Sequence, residues 1–172
     1  MSISMHSASV PIFARMLGNM NTWLDKAEAH AVAKKFEPAV YLGTRLAPDM
    51  LPFTAQVQIA CDTAKFCMAR LSGVDAPKFE DNETTLADLR ERIRKTIDYV
   101  SSVPVDAIDG TDAKDISVPR RSGPMTMKGE MYLKQFCLPN FFFHVTTVYA
   151  LLRHNGVDLG KADFLGALTP AS

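Results

Sequence analysis

One turn of helix separates Asn140 from His144, and Thr147 and Leu151 continue the same stripe. Side chains at i and i+4 point the same way, which is the spacing by which a helix offers two ligands to one metal ion. An imidazole placed there ligates a metal, moves a proton, or is a core group held by a local hydrogen bond. Phe141, Val145, Val148 and Leu152 define the core direction of this segment, so His144 stands at the margin of the core. Asparagine is a poor ligand for zinc or nickel, so the residue types argue against a tight metal site even where the spacing allows one.

Other polar residues could border the same cleft. Gln56, Gln58 and Asp62 belong to a second helical segment, although helical phase turns Gln58 and Asp62 away from its core face. The expected ligand-binding pocket is therefore Asn140, His144, Thr147, Gln56, Gln58 and Asp62, with no catalytic residue assigned. The His144 ring is expected to find either a carboxylate such as Glu130 or a glutamine of the second helix. His154 falls where a histidine suits the last carbonyls of a helix, and His6 and His30 read as surface residues. Cys61, Cys67 and Cys137 form no Cys-x-x-Cys pair; buried, inert thiols are the expectation for Cys61 and Cys67, and a pairing of Cys137 with His144 is open in space but has no motif behind it.

Four amphipathic helices must position these groups. The first runs from Val10 to about Lys34, where Val10, Phe13, Leu17, Met20, Leu24, Ala27 and Ala31 recur every three or four positions. A second follows Asp49, which stands as its N-cap, and ends near Ser72 before Gly73; Phe53, Val57, Ala60, Ala64, Met68 and Leu71 form its apolar face. Thr84 or Thr85 opens a third, with Leu86, Leu89, Ile93, Ile97 and Val100 inward and Pro104 as its end. Ile116 and Val118, then Met125 and Met127, alternate with polar neighbours around Arg120-Arg121-Ser122-Gly123-Pro124, which predicts a small β-hairpin. Two strands are marginal alone, so the hairpin must lean on the helices. The fourth long helix follows Pro139, contains His144 and closes at Asn155-Gly156; a tail punctuated by Gly160, Gly166 and Pro170 follows.

Composition narrows the function classes. Residues 1–172, 47% hydrophobic, are enough for a single domain that folds without disulfide or structural metal. Nineteen basic residues balance nineteen acidic ones, so no global field favours nucleic acid or an anionic membrane. The run from Asp88 to Lys95 mixes both signs and reads as a solvated helix face. The most apolar window, Phe136 to Leu152, falls short of the roughly 20 apolar residues of a spanning helix. No export signal is read, and three unpaired cysteines suit a reducing cytoplasm. No Gly-rich phosphate loop or nucleophile elbow occurs.

His144 nine residues before Arg153, the run Phe141-Phe142-Phe143-His144-Val145-Thr146-Thr147 and the run Arg153-His154-Asn155-Gly156-Val157 resemble the C-terminal signature of the DinB/YfiT-like metalloenzyme superfamily. More narrowly they resemble one of its domain-of-unknown-function branches. The resemblance implies an all-α fold: a four-helix bundle with the hairpin between the third and fourth long helices. It also implies a three-histidine metal site, one ligand on the second helix and a His-x-x-x-His pair on the last. Here His144 matches the second member of that pair, Asn140 stands in place of the first, and the second helix holds no histidine. A degenerate site is therefore expected, with no cofactor and with His144 the sole matching ligand position for any divalent metal. Two functions remain. One is a bundle that binds a small molecule or acts as an oligomeric interaction module, with a homodimer as the expected assembly; the other is an enzyme similar to the superfamily's metal-dependent thiol transferases, working with altered ligands.

Overall fold

The computed structural model describes residues 3–120 and 122–167. Four long helices, α1 (Val10–Lys34), α2 (Phe53–Ser72), α3 (Leu86–Ser102) and, later in the chain, the helix Leu138–His154, enclose one core. Between α3 and that last long helix lie a short α4 (Val105–Ile108), strands β1 (Asp115–Val118) and β2 (Met125–Lys128), the turn α5 (Gly129–Met131) and a π-helical turn (Tyr132–Cys137). Leu138–His154 is therefore α6, and a final α7 spans Lys161–Leu165. The chain is a mostly helical bundle with a two-stranded antiparallel hairpin inserted before its last long helix.

The long helices form a square. α1 packs on α3 and α6, α2 packs on the same two, and α1 and α2 face each other across the diagonal. Every apolar residue that periodicity assigns to the inner faces of α1 and α2 is buried, from Val10 to Ala31 and from Phe53 to Leu71. Burial of such faces, rather than local propensity, supplies most of the stability of a helix in a bundle.

The helix ends differ from expectation in two places. Pro52, not Asp49, occupies the N-cap of α2, and the Phe53 N–H is taken by the Thr44 carbonyl. Ser9 occupies the N-cap of α1, but its hydroxyl donates back to the Met5 carbonyl rather than capping. By contrast, Thr85 caps α3 through a reciprocal box: its Oγ1 accepts from the Asp88 N–H while the Asp88 carboxylate accepts from the Thr85 N–H. Gly73 and Gly156 end α2 and α6 at φ of 85° and 90°, a left-handed region that glycine enters without steric penalty.

The hairpin pairs Ile116 with Met127 and Val118 with Met125. Ile116 and Val118 are buried, and β1 rests on α2, which supplies the support that two strands need. Gly129 joins β2 to α5 where the Thr111 carbonyl oxygen lies only 2.0 Å from the place a Cβ would take, so only glycine fits. At the far end, α7 seals the tail against α1: Trp23 Nε1 donates to the Asp163 carbonyl, and Trp23 stacks on Phe164. Arg121 of the hairpin turn and Pro170 of the tail lie outside the described residues.

Candidate functional site

His144 is held by α6 and faces α2. The residue is 8% exposed, and its Nδ1 lies 2.7 Å from Gln56 Oε1. The Gln56 amide nitrogen donates to the Leu51 carbonyl, so the amide oxygen faces the imidazole and can only accept. The proton therefore sits on Nδ1, and Nε2 keeps its lone pair. Burial holds the His144 pKa below its ordinary value of 6.5, which keeps the ring neutral at pH 7. Of the two partners expected for this ring, the glutamine is the one present; Glu130 is exposed and pairs with Lys134 instead.

Asn140, one turn before, turns to a different neighbour. Its Nδ2 donates to Thr63 Oγ1 at 2.8 Å, and the Thr63 hydroxyl in turn donates to the Ile59 carbonyl, which fixes the orientation of the amide. Asn140 and Asp62 border a groove of about 260 Å³ between α2, the hairpin and the π-helical turn. Phe66, Tyr132 and Phe136 supply aromatic walls, and Val118 and Pro119 of the hairpin close one side. His144 is not among the residues that line this groove.

The six expected pocket residues thus fall into separate hydrogen-bonded groups rather than one. Gln56 and His144 form the first, Asn140 with Thr63 the second. Thr147 donates its hydroxyl to the Phe143 carbonyl within α6. Gln58 and Asp62 belong to a charge network on the α3 side. There Arg92 contacts Asp62 at 3.0 Å, Asp81 at 2.8 Å and Glu83 at 2.8 Å, Lys65 contacts Asp62 at 2.9 Å, and Gln58 donates to Glu83. Phe79 lies over this network, with Lys65 and Arg92 both at its ring face. Burial alone would push the Glu83 carboxyl up, but the hydrogen bonds from Arg92 and Gln58 outweigh it and hold the group below its ordinary range.

Two readings change here. Arg92 is 3% exposed, so the run from Asp88 to Lys95 is not wholly a solvated face. The signal was present in the period: Leu89, Arg92, Ile93, Thr96 and Val100 share the buried side of α3. His30 is not a bare surface residue either, because its Nδ1 meets the buried Tyr41 hydroxyl at 2.6 Å and its ring packs on Phe36. Sequence reading also missed Arg70 and Tyr132, whose contact joins α2 to the π-helical turn across 62 positions.

Cys61 and Cys67 are poor nucleophiles. Burial pushes the Cys61 thiol up to about 12 and raises Cys67 well above its ordinary value. A three-histidine metal site does not fit this donor set: α2 holds no histidine, Asn140 stands one turn before His144, and both amides are engaged, the Gln56 oxygen by His144 Nδ1 and the Asn140 nitrogen by Thr63. Among the described residues, no group of three or more His, Cys, Asp and Glu side chains is placed to hold a metal. No helix among the described residues is long and apolar enough to cross a membrane.

A helical bundle of this topology, with a hairpin before its last long helix, is DinB-like. It superposes on the crystal structure of a DinB family member protein from Shewanella denitrificans with a TM-score of 0.91 and 43% identity, over 97% of this chain and 94% of that one. Residues 5–165 match the profile of the family described as "Domain of unknown function (DUF1993)", and the chain belongs to that family. Comparison with curated proteins gave no match.

Proposed function

We propose that this DUF1993 protein is a small-molecule-binding bundle that works without a metal ion. The observation that carries the reading is the groove bordered by Asn140 and Asp62, in which polar groups stand beside the aromatic walls of Phe66, Tyr132 and Phe136. Apolar walls with a few oriented polar groups are the usual composition of a ligand site. At about 260 Å³ the groove lies just under the roughly 300–1,000 Å³ of drug-sized sites, so the ligand is small.

His144 supports the site from behind. Its bond to Gln56 ties α6 to α2, so that Asn140, one turn away, meets Thr63 across the same helix pair. Nuclear magnetic resonance titration of untagged, metal-free protein with phenol tests the reading. Saturable shifts of the Asn140 side-chain amide and of the Ile59 and Thr63 amides are expected; absence of shifts there contradicts it.

A homodimer is part of the proposal. Phe143 is 55% exposed on α6, and Pro139 and Thr146 share its outward side. A large aromatic presented this way suits a self-complementary twofold contact. Gel filtration at two concentrations should give a dimer whose Phe143→Ser variant shifts to monomer. The metal-dependent alternative is tested by metal analysis after incubation with zinc, nickel and manganese, where bound ion well below one per chain is expected and about one per chain would revive it. The three free thiols support placement in a reducing compartment, the cytoplasm.

A further inference from the structure

Arg70 is held as though for an anion, yet it has no carboxylate partner among the described residues. Its Nη1 donates to the Tyr132 hydroxyl at 3.0 Å, and its guanidinium lies 5.3 Å from the Phe66 ring centre and 5.8 Å from that of Tyr132. Aromatic faces and one hydrogen bond therefore fix a fork of N–H donors, most of which remain free. Tyr132 is 1% exposed, and burial pushes its phenol pKa up, so the hydroxyl keeps its proton. Since its oxygen accepts from Arg70, that proton is available to another acceptor. No other partner takes it among the described residues, and both side chains line the 260 Å³ groove.

The other charge on the groove is Asp62. Both Arg92 and Lys65 engage it, and it lies eight residues before Arg70, about 12 Å along α2 at 1.5 Å per residue. The groove is thus electropositive at its Arg70 end, aromatic along its middle at Phe66 and Phe136, and hydrogen-bonding at its Asn140 end.

Resting on the reading that this groove is a ligand site, we infer that its ligand is a small aromatic carboxylate. The carboxylate takes an Arg70 N–H and the Tyr132 O–H, and the ring lies against Phe66 and Phe136. Charge-assisted bonds of this kind are roughly twice as strong as neutral ones, and a planar guanidinium matches a carboxylate's geometry.

Benzoate and benzamide, nearly the same shape and different in charge, separate the ligand class from the site. In titrations of the wild-type protein followed by amide shifts, benzoate should bind at least about tenfold more tightly than benzamide, a difference of about 1.4 kcal/mol. The shifts should map to Val118, Tyr132 and Asn140. Arg70→Met should abolish the preference, while Arg70→Lys, which keeps the charge but not the fork, should retain part of it. Equal affinity for the two probes at these residues overturns the carboxylate assignment and leaves the groove as a neutral-ligand site. Benzoate shifts confined to Val74–Phe79, on the other side of Arg70, also overturn it, and failure of both probes and of phenol removes the site itself.

Discussion

Nδ1 of His144 donates its proton to Oε1 of Gln56 across 2.7 Å, from one helix of the bundle to the helix packed against it. Because the Gln56 amide nitrogen is spent on Leu51, the pair has one proton arrangement. The folded-state pKa of His144 is lowered by burial. A histidine kept neutral by the fold favours the unfolded chain once protons are abundant, so its contribution is intact above its unfolded pKa near 6.5 and declines as pH falls below it. Urea denaturation at pH 7.5 and 5.5 should show wild-type stability falling over this window and His144→Gln losing less. The lowered carboxylates, such as Glu83, act below their ordinary value of 4.5 and so outside it. Equal pH dependence of the two proteins would contradict a buried neutral ring.

Arg92 joins α3 to the segment before it and to α2. Its Asp62, Asp81 and Glu83 contacts have unequal consequences, because the Glu83 side chain is 6% exposed and Asp81 63%. Arg92→Met leaves Glu83 buried without its cation, a loss of about 3–5 kcal/mol by the usual cost of breaking a buried pair. Asp81→Asn removes an exposed partner and should cost under about 1 kcal/mol. Denaturant midpoints of the two variants check this ordering, and near-equal losses would mean that Glu83 is not dependent on Arg92.

Gly129→Ala places a methyl group against the Thr111 carbonyl oxygen, a backbone atom that cannot rotate away. The link between α4 and β1 has to move to admit it, and overpacking of this kind costs about 1–3 kcal/mol. Thermal unfolding of the variant should show a clear drop in Tm; Gly43→Ala, where a Cβ meets nothing within 4 Å, serves as the control.

The parts of the fold that repeat were legible in the sequence, because burial imposes a period on them. Leu89, Ile93 and Val100 mark α3 as surely as Ile116 and Val118 mark β1. The start of α3 could be read to within one residue, Thr84 or Thr85, since a cap needs only neighbours three residues apart, and the structure places it at Thr85. The site was less legible because its pairs span the chain. Asn140 meets Thr63 77 positions away and His144 meets Gln56 88 positions away, and nothing local to either helix fixes their relative height. Residue type also misled at Arg92: a cation reads as solvent-facing, and only the carboxylates brought in by α2 and the segment before α3 allow its burial.

The most direct test of a metal-free ligand groove is a crystal structure of the untagged protein soaked with phenol after treatment with a chelator. The account predicts electron density for the ring between Phe66, Tyr132 and Phe136, near Asn140, with His144 Nδ1 still on Gln56 and no ion at Nε2. An empty groove with the ring bound elsewhere, or His144 turned from Gln56 onto a retained metal, would contradict it.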